Sequence, residues 1–287
     1  MNSAIPASAS DPSVGLAYSS AAHAFIDTHR NAVDHVEIPF ELLRHDPRVL
    51  AVRDLVPVIL HCASLSIAGT EACSEQTISD IQMWVERSAT PWIGEHLAFV
   101  TASRRQASVP YAPGEPYNIG YTVSPVMNED MVISVSRALI NYGRRFAVPM
   151  IIENSPVYFA APGTTLVQSR FISEICESSG AGLLLDLAHH LITTRVAQID
   201  PISELEKLPL ERVVEIHLSG IDEQSDGMWD DHATPASALL YSLLDRVLQR
   251  VRPRAVTLEY NWSSRFSHSF FSKELARVRQ ICRMARK

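Results

Sequence analysis

The chain has few cysteines, no apolar run of membrane length and fewer basic than acidic residues. Its four cysteines form no Cys-x-x-Cys pair, which argues against a disulfide framework and against a thiolate zinc site. No apolar run approaches the ~18 residues of a membrane span, so we expect no membrane association. The formal net charge of −7 argues against nucleic acid as the main partner, because phosphate contacts require clustered Lys and Arg.

The first residues also lack the features of a secretory signal. Residues 1–13 are small and polar, with neither a charged segment nor an apolar core. We therefore expect a flexible N-terminus over residues 1–13 and a cytoplasmic protein. The rest of the chain, residues 14–287, suits one large catalytic domain, because an α/β barrel occupies roughly 250 residues.

The sequence does contain a repeated pattern of apolar runs that end on ionisable residues. The clearest is Leu183 to His190, a leucine run followed by Asp186, His189 and His190. Such a run is typical of a strand buried on both faces of a parallel sheet. Five further apolar runs end in the same way, at His61, His96, Glu153, His217 and Glu259. Because the carboxyl ends of parallel strands meet at one edge, we expect these side chains to converge on a metal site.

Strands and helices alternate along the whole chain. We predict eight strands, at residues 14–18, 35–40, 57–65, 92–100, 149–156, 182–189, 212–220 and 255–262, each followed by a helical segment. Only the segment from Thr101 to Asn128 breaks the alternation, and we interpret it as a lid or a docking edge. Eight such units predict a single-domain (β/α)8 TIM-type barrel with its active site at the carboxyl ends of the strands.

The residue types at these strand ends indicate the kind of metal. Imidazoles and carboxylates without thiolates suit Fe(II), Mn(II) or Zn(II), and there are too many of them for one octahedral ion. The sequence Asp230-Asp-His232 adds two candidate ligands, because alternate residues of an extended loop point the same way. A single strand-end His or Asp is more often a hydrogen-bonded structural residue, and an acidic loop more often faces water. The recurrence favours metal, because burying so many ionisable groups without cations would be costly.

Seven short motifs, taken in order, resemble one family. They are His61-Cys-Ala-Ser-Leu-Ser66, Glu95-His96-Leu97, Glu153-Asn154, Asp186-Leu-Ala-His189, His217-Leu-Ser-Gly220, Asp230-Asp-His232 and Leu258-Glu259. Between about Gly15 and Trp262 the chain resembles the multinuclear non-haem iron-dependent oxidative enzymes, which include the catalytic subunit of methanobactin biosynthesis and the 3-thiaglutamate enzyme. The resemblance implies a TIM barrel with two or three irons that uses O₂ to oxidise a residue, often cysteine, of a ribosomally made precursor peptide. A small partner protein commonly presents that peptide.

The resemblance and the strand-end pattern together give a ligand set. The expected metal ligands are His61, His96, Glu153, Asp186, His189, His217, Asp230, His232 and Glu259, with Glu153 as the bridge. We expect Glu153, Asp186, His217 and Glu259 to be the catalytic residues. His189 stands where the family usually has asparagine, so an imidazole would replace an amide oxygen. Glu37 and Glu95 would support the ligands from behind; a regular strand turns Glu95 away from His96, and Glu95 would act by fixing a histidine tautomer.

Two other enzyme classes share this barrel. A divalent-metal sugar isomerase or epimerase would also place Glu, Asp and His at strand ends, with Mg(II) or Mn(II) and no oxygen chemistry. A three-zinc abasic-site endonuclease should show a basic groove, which the net charge of −7 disfavours. The isomerase remains the alternative prediction, and metal analysis would separate it from the iron enzyme.

Overall fold

The computed structural model describes residues 11–103, 116–225, 227–260 and 266–285. Eight parallel strands close into a barrel in the order β1-β2-β3-β4-β7-β8-β9-β12, and two further pairs of strands form antiparallel hairpins, β5 with β6 and β10 with β11. The strands are β1 (Ser13–Ala17), β2 (Val36–Pro39), β3 (Val58–Cys62), β4 (Ile93–His96), β5 (Phe99–Ser103), β6 (Pro116–Val123), β7 (Met150–Glu153), β8 (Gly182–Asp186), β9 (Val213–Leu218), β10 (Asp222–Gln224), β11 (Gly227–Trp229) and β12 (Ala255–Leu258). The predicted single-domain TIM-type barrel is confirmed.

Helices follow the barrel strands and cover their outer faces. They are α1 (Ser20–His29), α2 (Phe40–His45), α3 (Glu75–Ser88), α4 (Glu129–Gly143), α5 (Gln168–Ser179), α6 (Leu187–Val196), α7 (Pro201–Leu205), α8 (Ala238–Leu248) and α9 (His268–Met284). Side-chain caps begin many of them: Ser74, Asn128 and Ser237 each accept a hydrogen bond from the backbone three residues on. Within the described ranges, no helix is both long and apolar enough to cross a membrane.

The barrel interior has an apolar floor beneath an ionisable mouth. Ile59, Ile151 and Leu184 belong to a buried cluster inside the barrel. Each lies two residues before an ionisable strand-end residue, namely His61, Glu153 and Asp186. Because side chains two apart on a strand point the same way, the alternation places the apolar residue deep in the barrel and the ionisable residue at the mouth.

Most barrel strands end a few residues earlier than predicted, and two of these differences affect the site. Strand β4 ends at His96, and the residues from Phe99 onward pair with β6 instead of continuing the barrel strand. The predicted lid therefore contains β6; its residues 104–115 lie outside the described part of the chain. Strand β8 ends at Asp186, because the Asp186 carboxylate caps α6 by accepting a hydrogen bond from the His189 N–H.

The helical segment after β2 is divided in two. Helix α2 ends at His45, and Pro47 opens a 3-10 helix that runs to Asp54. Proline has no N–H to continue an α-helix but is well tolerated at a helix start, which explains the division. The predicted end of the last strand, Trp262, and most of the predicted flexible N-terminus lie outside the described residues.

Candidate metal centre

Three neighbouring strands bring His61, His96 and Glu153 together. Register pairs His96 of β4 with Glu153 of β7, and His61 of β3 with Gly94 of β4. Glu153 Oε2 lies 3.1 Å from His61 Nε2 and 3.2 Å from His96 Nε2. Gly94 makes room for this arrangement, because a Cβ there would lie 2.5 Å from His61 Nδ1. One donor atom from each of the three lies within 4.8 Å of the others, which could hold a metal ion.

Glu153 also belongs to a second group, with Asp186, His217 and Glu259. All four are buried at the ends of adjacent strands β7, β8, β9 and β12. His217 Nδ1 lies 3.2 Å from Glu259 Oε2 and 3.5 Å from Glu153 Oε1. The two oxygens of Glu153 thus face two different groups, the geometry that a bridging carboxylate requires.

A third group contains His189, Asp230 and His232. Asp230 Oδ2 lies 2.8 Å from His189 Nε2 and 3.0 Å from His232 Nε2. His189 reaches this position from the first turn of α6, three residues after Asp186, because residues three apart share a helix face. Asp230 and His232 come from the loop after β11. All nine predicted ligands therefore lie in these three groups.

Several atoms of the centre are buried but make no hydrogen bond. Those from residues of the second group are Glu153 Oε2, Asp186 Oδ2, His217 Nδ1 and Glu259 Oε2, and His61 Nδ1, on the side of Gly94, is a further one. Buried polar atoms are nearly always hydrogen-bonded, so convergent lone pairs of this kind are expected around a cation. A mixed imidazole and carboxylate set fits iron, manganese or zinc. The residues therefore fit a multinuclear metal centre.

Electrostatics of the centre agree with this fit. Burial alone would raise the pKa values of Glu153 and Glu259, but the surrounding imidazoles hold that of Glu153 well below its usual range and lower that of Glu259 to about 2. Burial would also lower the pKa of His61, yet nearby carboxylates raise it to about 9. Asp186 and His96 are exceptions, because burial raises the pKa of Asp186 to about 8 and lowers that of His96. Protons on imidazoles balance the carboxylates here, and bound cations would displace them.

A hydrogen-bonded layer lies directly below the centre. Glu215 accepts hydrogen bonds from Trp92 Nε1 at 2.8 Å and from Thr257 Oγ1 at 2.6 Å. Thr257 Oγ1 is also 2.9 Å from His35 Nε2. Beside this layer, Glu37 Oε2 lies 3.1 Å from His217 Nε2. The expectation that Glu37 supports a ligand from behind therefore has a specific partner, His217.

Glu95 faces away from His96 as a regular strand predicts, but its hydrogen-bond partner is a backbone group and not a histidine. Glu95 points away from the histidines, and its Oε2 accepts a hydrogen bond from the Leu65 backbone at 3.2 Å. Burial and the nearby Glu41 raise its pKa well above the usual range. Glu95 therefore anchors the loop after β3, while Cys62, which the alternation directs outward, packs in the outer core.

Some residues that position the ligands carry no sequence signal of that role. The backbone carbonyl of Asn154 lies 2.8 Å from His189 Nδ1, and Tyr158 Oη accepts a hydrogen bond from the Asp230 backbone at 3.3 Å. His190, in contrast, points away from the centre, with its Nε2 2.8 Å from the Pro201 carbonyl. Only the adjacency of Asn154 to Glu153 could have suggested its role.

The fold and the three groups define a class, a TIM-barrel protein with a candidate multinuclear metal centre at the carboxyl ends of its strands. The family model described as "RiPP precursor modification enzyme MbnB/TglH/ChrH" matches residues 13–283. The chain therefore belongs to this family of enzymes that modify ribosomally synthesised precursor peptides.

Individual relatives match most of this chain in sequence, and solved structures match its fold. A UPF0276 protein of Caulobacter vibrioides is 25% identical over 242 residues, 82% of each chain, and one of Paraburkholderia phytofirmans is 28% identical over 220 residues, 74% of this chain and 66% of the relative. Among solved structures, a xylose isomerase domain-containing protein of Salmonella typhimurium superposes with a TM-score of 0.61 at 13% identity, over 97% of this chain and 99% of that one. Endonuclease IV of Thermus thermophilus superposes with a TM-score of 0.59 at 16% identity, over 95% of this chain and 100% of that one. At these identities the structural similarities establish the barrel fold alone.

Proposed function

We propose that the chain is an iron- and O₂-dependent oxidase or oxygenase that modifies a residue, often cysteine, of a ribosomally synthesised precursor peptide. Membership of the precursor-modification family supports the peptide substrate. The main support for a multinuclear centre is that the two oxygens of Glu153 face two separate ligand groups. A cytoplasmic location belongs to the same proposal and is supported by four free thiols.

Each group would have its own part in holding two or three irons. His61 and His96 would share one ion with Glu153, while Asp186, His217 and Glu259 would hold the second. His189, Asp230 and His232 would complete a third position. Iron bound there would supply the redox chemistry by which O₂ oxidises the substrate.

Exposure indicates the side from which a substrate enters. The side chains of His96 and His232 are 19% and 21% exposed, whereas those of His217 and Asp186 are fully buried. Substrate and O₂ would therefore approach from the side of His96 and His232. The buried layer around His217 would keep water away from the inner face of the centre.

Exposed aromatic side chains next to the centre support a peptide substrate. Tyr158 is 38% exposed and Trp229 44%, and the Tyr158 ring stacks obliquely on Trp229 with centroids 5.6 Å apart. Tyr158 is hydrogen-bonded to the backbone of Asp230, so this aromatic surface adjoins the third ligand group. Aromatic rings of this kind bind apolar side chains well. A small partner protein that presents the peptide is part of the proposal.

The test compares peptide oxidation with sugar isomerisation. The protein, loaded anaerobically with Fe(II), would receive O₂ and either cysteine-containing peptides encoded beside its gene or a panel of ketohexoses. We expect O₂ consumption and a mass change of a peptide, both lost in Glu153→Gln and retained in Glu177→Gln, a change on helix α5 away from the centre. Oxygen-independent turnover of a sugar, with no change of any peptide, would replace this proposal with the epimerase alternative.

A further inference from the structure

We propose that Glu37 holds His217 with its proton on Nε2, so that His217 binds its metal through Nδ1, whereas His61, His96 and His232 bind through Nε2. This inference rests on the proposed metal centre but not on the peptide or on O₂.

The geometry around His217 carries the proposal. The imidazole is fully buried, and Glu37, at 2% exposure, is buried with it. Glu37 Oε2 lies 3.1 Å from Nε2, within hydrogen-bond distance. A neutral imidazole has one N–H and one lone pair, so donation from Nε2 to Glu37 leaves the lone pair on Nδ1. That nitrogen makes no hydrogen bond and lies 3.2 Å from Glu259 Oε2, a second atom without one.

An ion on the opposite side of the ring, between Nε2, Glu37 and Glu215, would be the competing arrangement. Glu215 argues against it, because both of its oxygens already accept hydrogen bonds, from Trp92 and from Thr257. Its nearest oxygen is also 4.0 Å from His217 Nε2. The atoms without hydrogen bonds lie on the Nδ1 side, so the cation belongs there.

The other histidines present the opposite nitrogen for a structural reason. His61 and His96 each approach Glu153 with Nε2, and His232 approaches Asp230 with Nε2. His217 stands deeper, inside β9, level with Thr257 of β12, and Glu37 reaches it from β2. A carboxylate behind a ligating imidazole orients the ring and makes it more basic, and loss of such a partner typically weakens metal binding about 10–100-fold.

Three variants separate this role from general packing. Glu37→Leu removes the acceptor, Glu37→Gln retains an uncharged one, and Glu215→Gln alters an equally buried carboxylate that does not contact His217 Nε2. Fe(II) and Co(II) affinity would be measured by chelator competition without peptide or O₂. We expect a loss of about 10–100-fold in Glu37→Leu, partial rescue in Glu37→Gln and little change in Glu215→Gln. Equal losses in Glu37→Leu and Glu215→Gln, or wild-type affinity in Glu37→Leu, would overturn the proposal.

The wild-type protein provides a second test that needs no variant to fold. In a Co(II)-loaded crystal, anomalous scattering should place an ion next to His217 Nδ1, and an ion next to Nε2 would disprove the inference. Binding through Nδ1 without any oxidation of peptide would leave this inference standing and refute the proposed function. Iron-dependent peptide oxidation with the ion next to His217 Nε2 would support the proposed function and refute this inference.

Discussion

Asn154 clamps the end of the neighbouring strand by bonding twice to the backbone of Asp186. Its Oδ1 accepts a hydrogen bond from the Asp186 N–H at 2.8 Å, and its Nδ2 donates one to the Asp186 carbonyl at 2.9 Å. The carbonyl of Asn154 also meets His189 Nδ1. One buried residue thus positions a ligand of the second group and a ligand of the third.

Asn154→Ala should disturb the second group first, because alanine removes both side-chain bonds to Asp186 but keeps the backbone carbonyl that meets His189. The loss of two buried hydrogen bonds should lower the free energy of unfolding by about 1–3 kcal/mol and reduce the metal content per chain. The matched control is Ser155→Ala, which removes one buried hydrogen bond to Leu97 but touches no ligand. Denaturation and metal analysis measure the two effects, and full metal content in Asn154→Ala would show that the clamp is not needed.

His189→Asn restores the residue type that is common in the family at this position. Because an amide oxygen is a weaker donor than an imidazole and reaches less far, we expect iron content and activity to shift modestly. His190→Asn is the control, since His190 bonds to Pro201 outside the centre. Mössbauer spectra that change only in His190→Asn would contradict the placement of His189.

Gly94→Ala should displace the imidazole of His61. The added Cβ would lie 2.5 Å from His61 Nδ1 and 3.1 Å from Leu184 Cδ1, and the first distance is closer than real Cβ contacts, so the ring must shift. We expect the ion shared by His61, His96 and Glu153 to be lost first, seen as a fractional loss of metal. Gly227→Ala, where a Cβ would meet nothing closer than 3.9 Å, should keep its metal. Equal metal content in the two variants would count against the first ligand group.

His35 should make the protein sensitive to acid. Burial lowers the pKa of His35 from an ordinary 6.5 to about 4. Between pH 6.5 and pH 4, His35 is therefore protonated in the unfolded chain and neutral in the folded protein. The contribution of His35 to the free energy of unfolding is complete above pH 6.5 and is lost as the pH falls toward 4. At pH 5 the loss is about 2 kcal/mol. His35→Gln should therefore have a lower free energy of unfolding than wild type at pH 7.5. The difference between the two proteins should be smaller at pH 5 by about 2 kcal/mol. Urea denaturation at both pH values tests this, and a constant difference would refute it.

Much of the centre could be predicted because its signal is local. His61, Glu153 and His217 each follow an apolar run, and parallel strands bring such ends together. His189 lies in the predicted cluster of ligands, but it reaches that place by a different route. The sequence pattern predicts a strand that runs to residue 189, whereas the Asp186 cap begins a helix at Leu187.

The supporting residues could not be predicted in the same way. Glu37 and Glu95 look alike in sequence, since each lies in or beside an apolar run, but their partners are set across the barrel. Glu37 meets His217, 180 positions away, while Glu95 turns to the Leu65 backbone. Tyr158 depends on the path of two loops, which no periodic pattern encodes.

The most direct test of the proposed iron centre is the metal content of protein produced with ⁵⁷Fe and purified without oxygen. Elemental analysis and Mössbauer spectroscopy should find two or three irons per chain, matching the ligand groups around Glu153. In Glu153→Ala that content should fall by more than one ion, because this residue faces two groups. A single Mn(II) or Mg(II) per chain without iron, unchanged by Glu153→Ala, would contradict the account.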